Sequence, residues 1–130
     1  MRHTALLLAC LAFLSGCAAK YQIQPGEKTV QAVTQRWVEE SRRELVWEVE
    51  DLEIVRAEGM NKRLESAKTL PVALDILITH AEAARRKLAR ADGEPWPDPV
   101  TTCVYTNAVT VKYLRSAAIP CSPSRLADNR

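Results

Sequence analysis

The sequence predicts an all-α fold, a small bundle of three or four helices. The first reason is a mostly apolar stripe at three- and four-residue spacing, the pattern of an amphipathic helix, formed by Val30, Val33, Trp37, Ser41, Leu45, Val49, Leu52 and Val55. The second reason is a similar stripe formed by Leu74, Leu77, Ile78, Ala81, Ala84, Leu88 and Ala91. The third is the length of 130 residues, which suits one domain rather than two.

A signal segment precedes the helical domain. Arg2 and His3 are followed by an apolar run from Ala5 to Leu14, which is the build of a signal peptide. The run has about ten residues, whereas a helix that crosses a membrane needs about twenty, so we do not expect a retained transmembrane span. We therefore predict that residues 1–16 are a signal peptide that is removed.

The end of this run carries the most specific motif of the sequence, Leu14-Ser15-Gly16-Cys17. It resembles the lipobox of bacterial lipoproteins. The resemblance implies cleavage before Cys17 and acylation of that cysteine, so that a lipid anchor holds the rest of the chain at a membrane. In that family an aspartate after the cysteine favours the inner membrane, and Ala18 stands here instead, which implies the periplasmic face of the outer membrane. The alternative is an ordinary secretory signal in which Cys17 has no role.

A tether and a long helix are predicted next. Residues 17–26 contain Pro25 and Gly26 and little that could be buried, so we expect a lipidated tether there. The helical domain is predicted to span residues 27–121. Its first helix should begin near Pro25, a residue suited to the first helical position, and should run to about Glu58.

The middle of the chain contains signals for helix ends. Gly59 is predicted to break or kink the helix, because glycine is common just past a helix end; the alternative is that it only weakens the helix, since residues 60–68 keep a helical composition. Thr69 can cap a second main helix that has Pro71 in its first turn. The pair Asp92-Gly93 should end that helix.

Residues 100–114 allow two interpretations. Their valine, threonine and tyrosine content favours strands. Against that, Asp98-Pro99 is a good helix start, and apolar residues at helical spacing follow, namely Val100, Val104, Ala108, Val111 and Leu114. We favour a third helix, and the alternative is a hairpin that turns at Thr106-Asn107.

The last two cysteines form a candidate pair, since Cys10 leaves with the signal peptide and Cys17 takes lipid. We predict a disulfide between Cys103 and Cys121 in an oxidising compartment. A disulfide needs α-carbons within about 7 Å, so a final helix would have to end by about Ser116 and the chain would have to double back. The alternative is a reduced Cys103 that is buried as a small apolar residue. Residues 122–130 are predicted to be a disordered tail.

The predicted core draws on all the predicted helices. It consists of Trp37, Leu45, Val49, Leu52, Leu74, Leu77, Ile78, Leu88, Val104 and Val111. Two tryptophans are candidates for contact with a partner: Trp47, beside Val46 on the first predicted helix, and Trp96 in a proline-rich connection. For Trp96 we favour a role in covering the open end of the core, and contact with a partner is the alternative.

The mature chain is poor in groups that could act together in catalysis. His80 is its only histidine, and no cysteine or carboxylate stands near it at a convincing ligand spacing, so we predict no catalytic residue, no metal site and no cofactor. Without residues 1–16 the net charge is about +1, which argues against nucleic acid as a partner. We therefore do not expect an enzyme; a periplasmic hydrolase is the rival.

The predicted role is that of an adaptor or assembly factor for an envelope protein, held at the outer membrane by its lipid. In size and helical character the chain is similar to the small pilotin lipoproteins that help secretion pores assemble, although no motif is shared. Two alternatives have the same outline. One is a plasmid or phage lipoprotein of entry exclusion or outer-membrane lysis, and the other is a self-associating structural lipoprotein. The sequence leaves the oligomeric state open.

Overall fold

The fold is α+β, so the predicted all-α bundle is wrong. A computed structural model describes residues 19–95, 97–114 and 121. Within these residues the elements are α1 (Val30–Glu40), β1 (Glu44–Trp47), α2 (Ala57–Leu64), α3 (Leu70–Asp92), β2 (Val100–Val104) and β3 (Ala108–Tyr113). None of the helices in these ranges is long and apolar enough to span a membrane.

The three strands form one mixed sheet with β3 at its centre. The strand order is β1-β3-β2, in which β1 runs parallel to β3 and β2 runs antiparallel to it. In this register Trp47 of β1 and Thr102 of β2 both lie opposite Val111. The central strand therefore joins two parts of the chain that are distant in sequence.

The predicted first helix ends early, at Glu40 instead of about Glu58. The Ser41 N–H donates to Trp37 O at 3.1 Å, and Arg42 then adopts a left-handed conformation with φ +59°, which stops the helix. The chain continues as β1. Residues four apart share a face in a strand as well as in a helix, so the spacing of Leu45 in β1 and Val49 just after it fitted both structures.

Helix α1 also begins later than predicted, at Val30 rather than near Pro25. Thr29 is its N-cap, and the Thr29 hydroxyl accepts a hydrogen bond from the Ala32 N–H at 3.3 Å. The segment after β1 supplies two further acceptors: Leu52 O lies 2.8 Å from Val30 N, and Asp51 Oδ1 lies 3.0 Å from Gln31 N. These bonds fix residues 51–52 against the start of α1.

The signals around α3 are confirmed, but the expected break at Gly59 is wrong. Gly59 lies inside α2, which begins at Ala57 after Arg56, a second left-handed residue with φ +58°. Thr69 is the N-cap of α3, and Pro71 lies in its first turn. Gly93, at φ +70°, ends α3 in the left-handed conformation that glycine adopts without strain.

Residues 100–114 form the hairpin rather than the favoured helix. The chain turns at Thr106-Asn107, where the Tyr105 N–H donates to Ala108 O at 2.7 Å. Val109 and Val111 on β3 are fully buried, because β3 is covered by a strand on each side and by helices on one face. Burial of β3 and its pairing with two strands therefore outweigh the helical spacing of the apolar residues, and the segment forms strands.

The core lies between the helices and one face of the sheet. Most predicted core residues are buried, but Leu45 is half-buried against the core, and Leu88 on α3 is 60% exposed. Tyr21 and Ile23 also belong to the core. The segment predicted to be a tether therefore contributes to the domain, and the expectation that it held little to bury is wrong.

Candidate functional site

The structure describes some of the predicted site residues and not others. Cys17, the predicted lipidation site, and Trp96, a predicted partner contact, lie outside the described residues. Trp47, Cys103 and Cys121 are described. Two further features were not predicted from the sequence. One is a set of contacts from Trp37, Asn61 and Arg36 that hold residues 21–27, called the clamp here. The other is an apolar groove beside α3, lined in part by Leu52, Val55 and Leu88.

The disulfide between Cys103 and Cys121 is present. Their α-carbons lie 5.5 Å apart. Cys103 alternates along β2 with Thr102 and Val104, and Val104 belongs to the core, so Cys103 points to the opposite face of the sheet. Its side chain is nevertheless fully buried. The bond therefore ties Cys121 to the sheet face that the helices leave uncovered.

Trp47 does not present its ring to solvent with Val46, as the helical prediction placed it. On β1 successive side chains point to opposite faces. Trp47 is half-buried and packs against the core, whereas Val46 is 39% exposed on the other face. The structure therefore gives no support to Trp47 as a partner contact.

Apolar packing and one amide clamp the N-terminal segment onto the helices. The Tyr21 ring packs edge-on against Trp37 of α1, with centroids 5.3 Å apart. The Asn61 side chain of α2 accepts from the Ile23 N–H at 2.7 Å and donates to Ile23 O at 3.2 Å. Both partners of this segment lie on helices, so it is fixed to the domain from Tyr21 onward.

Arg36 of α1 completes the clamp. Its guanidinium contacts both carboxylate oxygens of Glu27, at 2.8 and 3.1 Å, and donates to Gln22 O at 2.5 Å. Burial raises the pKa of the Glu27 carboxyl, but the hydrogen bonds from Arg36 and from the Gln24 N–H, with the charge of Arg36, outweigh burial and hold that pKa below its usual value. The bond to Glu27 in turn raises the pKa of Arg36. The pair therefore stays charged at neutral pH.

The clamp was not predicted because the sequence pattern gave each of its residues a different role. Tyr21 and Ile23 stood in the predicted tether, and Arg36 stood on the polar side of an amphipathic helix. Two large apolar residues at alternating positions, so close to the domain, were the signal that could have revealed it.

An open groove lies between residues 51–55 and the C-terminal half of α3. Its volume is about 200 Å³, and it is lined by Asp51, Leu52, Glu53, Val55, Ala81, Ala84, Arg85 and Leu88. Leu52 is buried, whereas Val55 and Leu88 are 45% and 60% exposed. Arg85 Nη1 is buried there without a hydrogen-bond partner, while Nη2 lies 3.7 Å from Glu50 Oε2. The groove therefore offers apolar contacts and one unused donor.

His80 lies apart from both the groove and the clamp. It lines a shallow depression on α3 with Arg63, Ser66, Asp75, Ile76 and Thr79. Across the described ranges, no three histidine, cysteine, aspartate or glutamate side chains are grouped so that they could hold a metal ion.

The described elements define a small α+β domain in which helices cover one face of a mixed three-stranded sheet. No family model matches the sequence, and no curated protein matches it. A solved structure, the globular domain of Xanthomonas citri VirB7, is similar with a TM-score of 0.45 and 18% sequence identity, over 72% of this chain and 92% of that domain. A likeness this distant has no bearing on what the chain does.

Proposed function

We propose that the chain is a lipid-anchored, non-enzymatic adaptor that holds or guides an envelope protein at the periplasmic face of the outer membrane. The observation that carries the proposal is the motif Leu14-Ser15-Gly16-Cys17, separated by only three residues from Tyr21, where the clamp begins. Such a short connection suits a domain that works beside its anchor.

The short connection limits how far the domain stands from its anchor. Extended chain covers at most about 3.6 Å per residue, so Tyr21 lies within about 14 Å of the Cys17 α-carbon. Acyl chains on Cys17 would insert into the bilayer, where each buried methylene contributes about 0.8 kcal/mol. The lipid would therefore supply the membrane affinity, and the surface of the domain stays available for a partner.

The groove supports a role in which the domain contacts another protein. Large apolar side chains that share one open depression are a common mark of a protein contact. Val55 and Leu88 are such side chains, and they line the same depression.

Metabolic labelling with an alkyne analogue of palmitate tests the anchor in a bacterial host with an outer membrane. We expect the wild-type chain to take up label and to fractionate with outer membranes. Cys17→Ser should abolish labelling and release the chain, because that sulfur is the site of acylation. Cys10→Ser is the matched control and should behave as wild type, since Cys10 lies in the removed segment. Persistent labelling of Cys17→Ser would refute the anchor.

A further inference from the structure

The groove beside α3 contains apolar surface that nothing in the described chain covers. Leu52, which lines it, is buried, and the two exposed apolar residues that line it, Val55 and Leu88, form its rims and are 45% and 60% exposed. The rims belong to different parts of the chain, one to the segment after β1 and the other to α3. An apolar side chain that enters the groove would contact both rims at once and remove them from water.

Arg85 gives the groove a polar contact. Among the described residues its buried Nη1 has no hydrogen-bond partner, and Nη2 makes a loose 3.7 Å contact with Glu50. A buried donor without an acceptor is unfavourable. An acceptor that reaches Nη1 would therefore form a charge-assisted hydrogen bond, which is stronger than one between neutral groups. An occupant of the groove should therefore bring an oxygen acceptor next to its apolar side chain.

The charges around the groove decide which acceptor and which neighbours fit. Asp51 and Glu53 line the groove and are exposed, and so is Glu50, which contacts Arg85. They would repel a carboxylate, so a neutral main-chain carbonyl is the acceptor that suits Arg85. The same three carboxylates would attract lysine or arginine beside the apolar residue.

We propose that this groove binds an extended segment of an envelope protein, in which an apolar side chain is flanked by lysine or arginine. The apolar side chain fills the space between Val55 and Leu88. A main-chain carbonyl of the segment accepts a hydrogen bond from Arg85 Nη1, and the flanking cation lies against Glu50 and Glu53. This inference names the kind of partner and rests on the proposed adaptor role.

Photo-crosslinking in cells tests the groove in the full-length chain. A benzoyl-phenylalanine placed at Val55 or at Leu88 should form adducts with one and the same segment of another protein, identified by mass spectrometry. That segment should contain an apolar residue next to lysine or arginine. The control position is Val72, an exposed apolar residue near the start of the same helix and about 24 Å along its axis from Leu88. It should give no adduct with that segment.

Two substitutions elsewhere in the groove check the assigned contacts. In the chain labelled at Leu88, Arg85→Met removes the donor but keeps an apolar stem, and we expect adduct yield to fall about tenfold. Glu53→Lys should lower the yield by repelling the flanking cation, whereas Glu65→Lys, an exposed charge reversal outside the groove, should leave it unchanged. Equal thermal melting of the variants excludes unfolding as the cause.

Each remaining outcome overturns the proposal. Adducts with peptides of this chain would show a second copy in the groove, and adducts with lipid would show contact with the bilayer. A partner segment lacking lysine and arginine, or no adduct at both positions, would refute the proposed chemistry. Palmitate labelling of Cys17, measured on the same cells, separates the two hypotheses: intact labelling without groove adducts rejects only the groove.

Discussion

At the scale of single residues, the contact between Glu27 and Arg36 holds the N-terminal segment to α1. The Glu27 side chain is 15% exposed, so its contact is better shielded from water than that of a typical surface ion pair. Arg36 also reaches Gln22 O, so one guanidinium joins two points of the segment. Removing the Glu27 charge should therefore loosen the segment as well as the pair.

We predict that Glu27→Gln lowers the free energy of unfolding at pH 7 by about 1.5–3 kcal/mol, the usual size for hydrogen bonds to a charged group. Because the folded-state pKa of Glu27 lies below its usual value, its contribution is present above the unfolded-state pKa and is lost as pH falls through the folded-state pKa. The difference between wild type and variant should therefore shrink in acid. Urea titrations from neutral to acidic pH measure it.

Glu40 supplies the matched control for Glu27. It contacts the same Arg36 at 3.4 Å, but its side chain is 58% exposed. Solvent weakens such a contact, so Glu40→Gln should change the free energy of unfolding by less than about 0.5 kcal/mol. Equal losses in the two variants would show that the Glu27 contact has no special role.

At the scale of secondary-structure elements, the disulfide ties Cys121 to β2, an outer strand of the sheet. We predict that the double variant Cys103→Ala, Cys121→Ala loses about 3 kcal/mol of stability, the chain-entropy value for a loop of this length. Alanine is chosen because Cys103 is fully buried and a serine hydroxyl there would lack a partner. Thermal or urea unfolding measures the loss.

Reduction provides the control for the disulfide. Adding dithiothreitol to the wild-type protein should reproduce the loss, and adding it to the double variant should change nothing. A thiol count under denaturing, non-reducing conditions precedes both measurements. Two free thiols from Cys103 and Cys121 in protein made in an oxidising compartment would contradict the bridge.

Local signals predicted some elements of this fold, and distant pairing determined the others. Helix α3 was predictable because Pro71 and Gly93 act through the local backbone at its two ends, and Thr69 occupies the N-cap position although its side chain makes no capping hydrogen bond. Strand β1 was not, since Glu44 finds its partner at Ala108, far along the chain. The four-residue spacing of Leu45 and Val49 could not separate strand from helix, so the sequence supported the wrong alternative there.

The candidate site also contains one part that the sequence predicted and one part that it did not. The cysteine pair was predictable, because subtracting Cys10 and Cys17 leaves only Cys103 and Cys121. The groove was not, because Val55 and Leu88 fitted stripes that the sequence assigned to buried faces. Their exposure depends on where residues 51–55 and α3 meet, and that is decided by the whole tertiary structure.

At the scale of the whole molecule, the clamp sets how near the domain lies to the proposed anchor. Only Ala18, Ala19 and Lys20 separate Cys17 from Tyr21. The bonds of Ile23 and Gln22 to the helices prevent the next residues from lengthening this connection. The domain and its groove should therefore be held beside the bilayer, and a partner would have to be met there.

We predict that inserting ten glycine and serine residues between Lys20 and Tyr21 raises the domain above the bilayer without changing its melting temperature. Ten flexible residues have an average end-to-end distance of about 17 Å, so the height should grow by an amount on the order of 10–20 Å. Neutron reflectometry of the lipidated chain on a supported bilayer measures this height. The same ten residues added after Arg130 are the control and should leave the height unchanged. If the insertion after Lys20 also leaves the height unchanged, the domain is held at the membrane by its own surface and not by a short tether, and the clamp then has no part in setting its position.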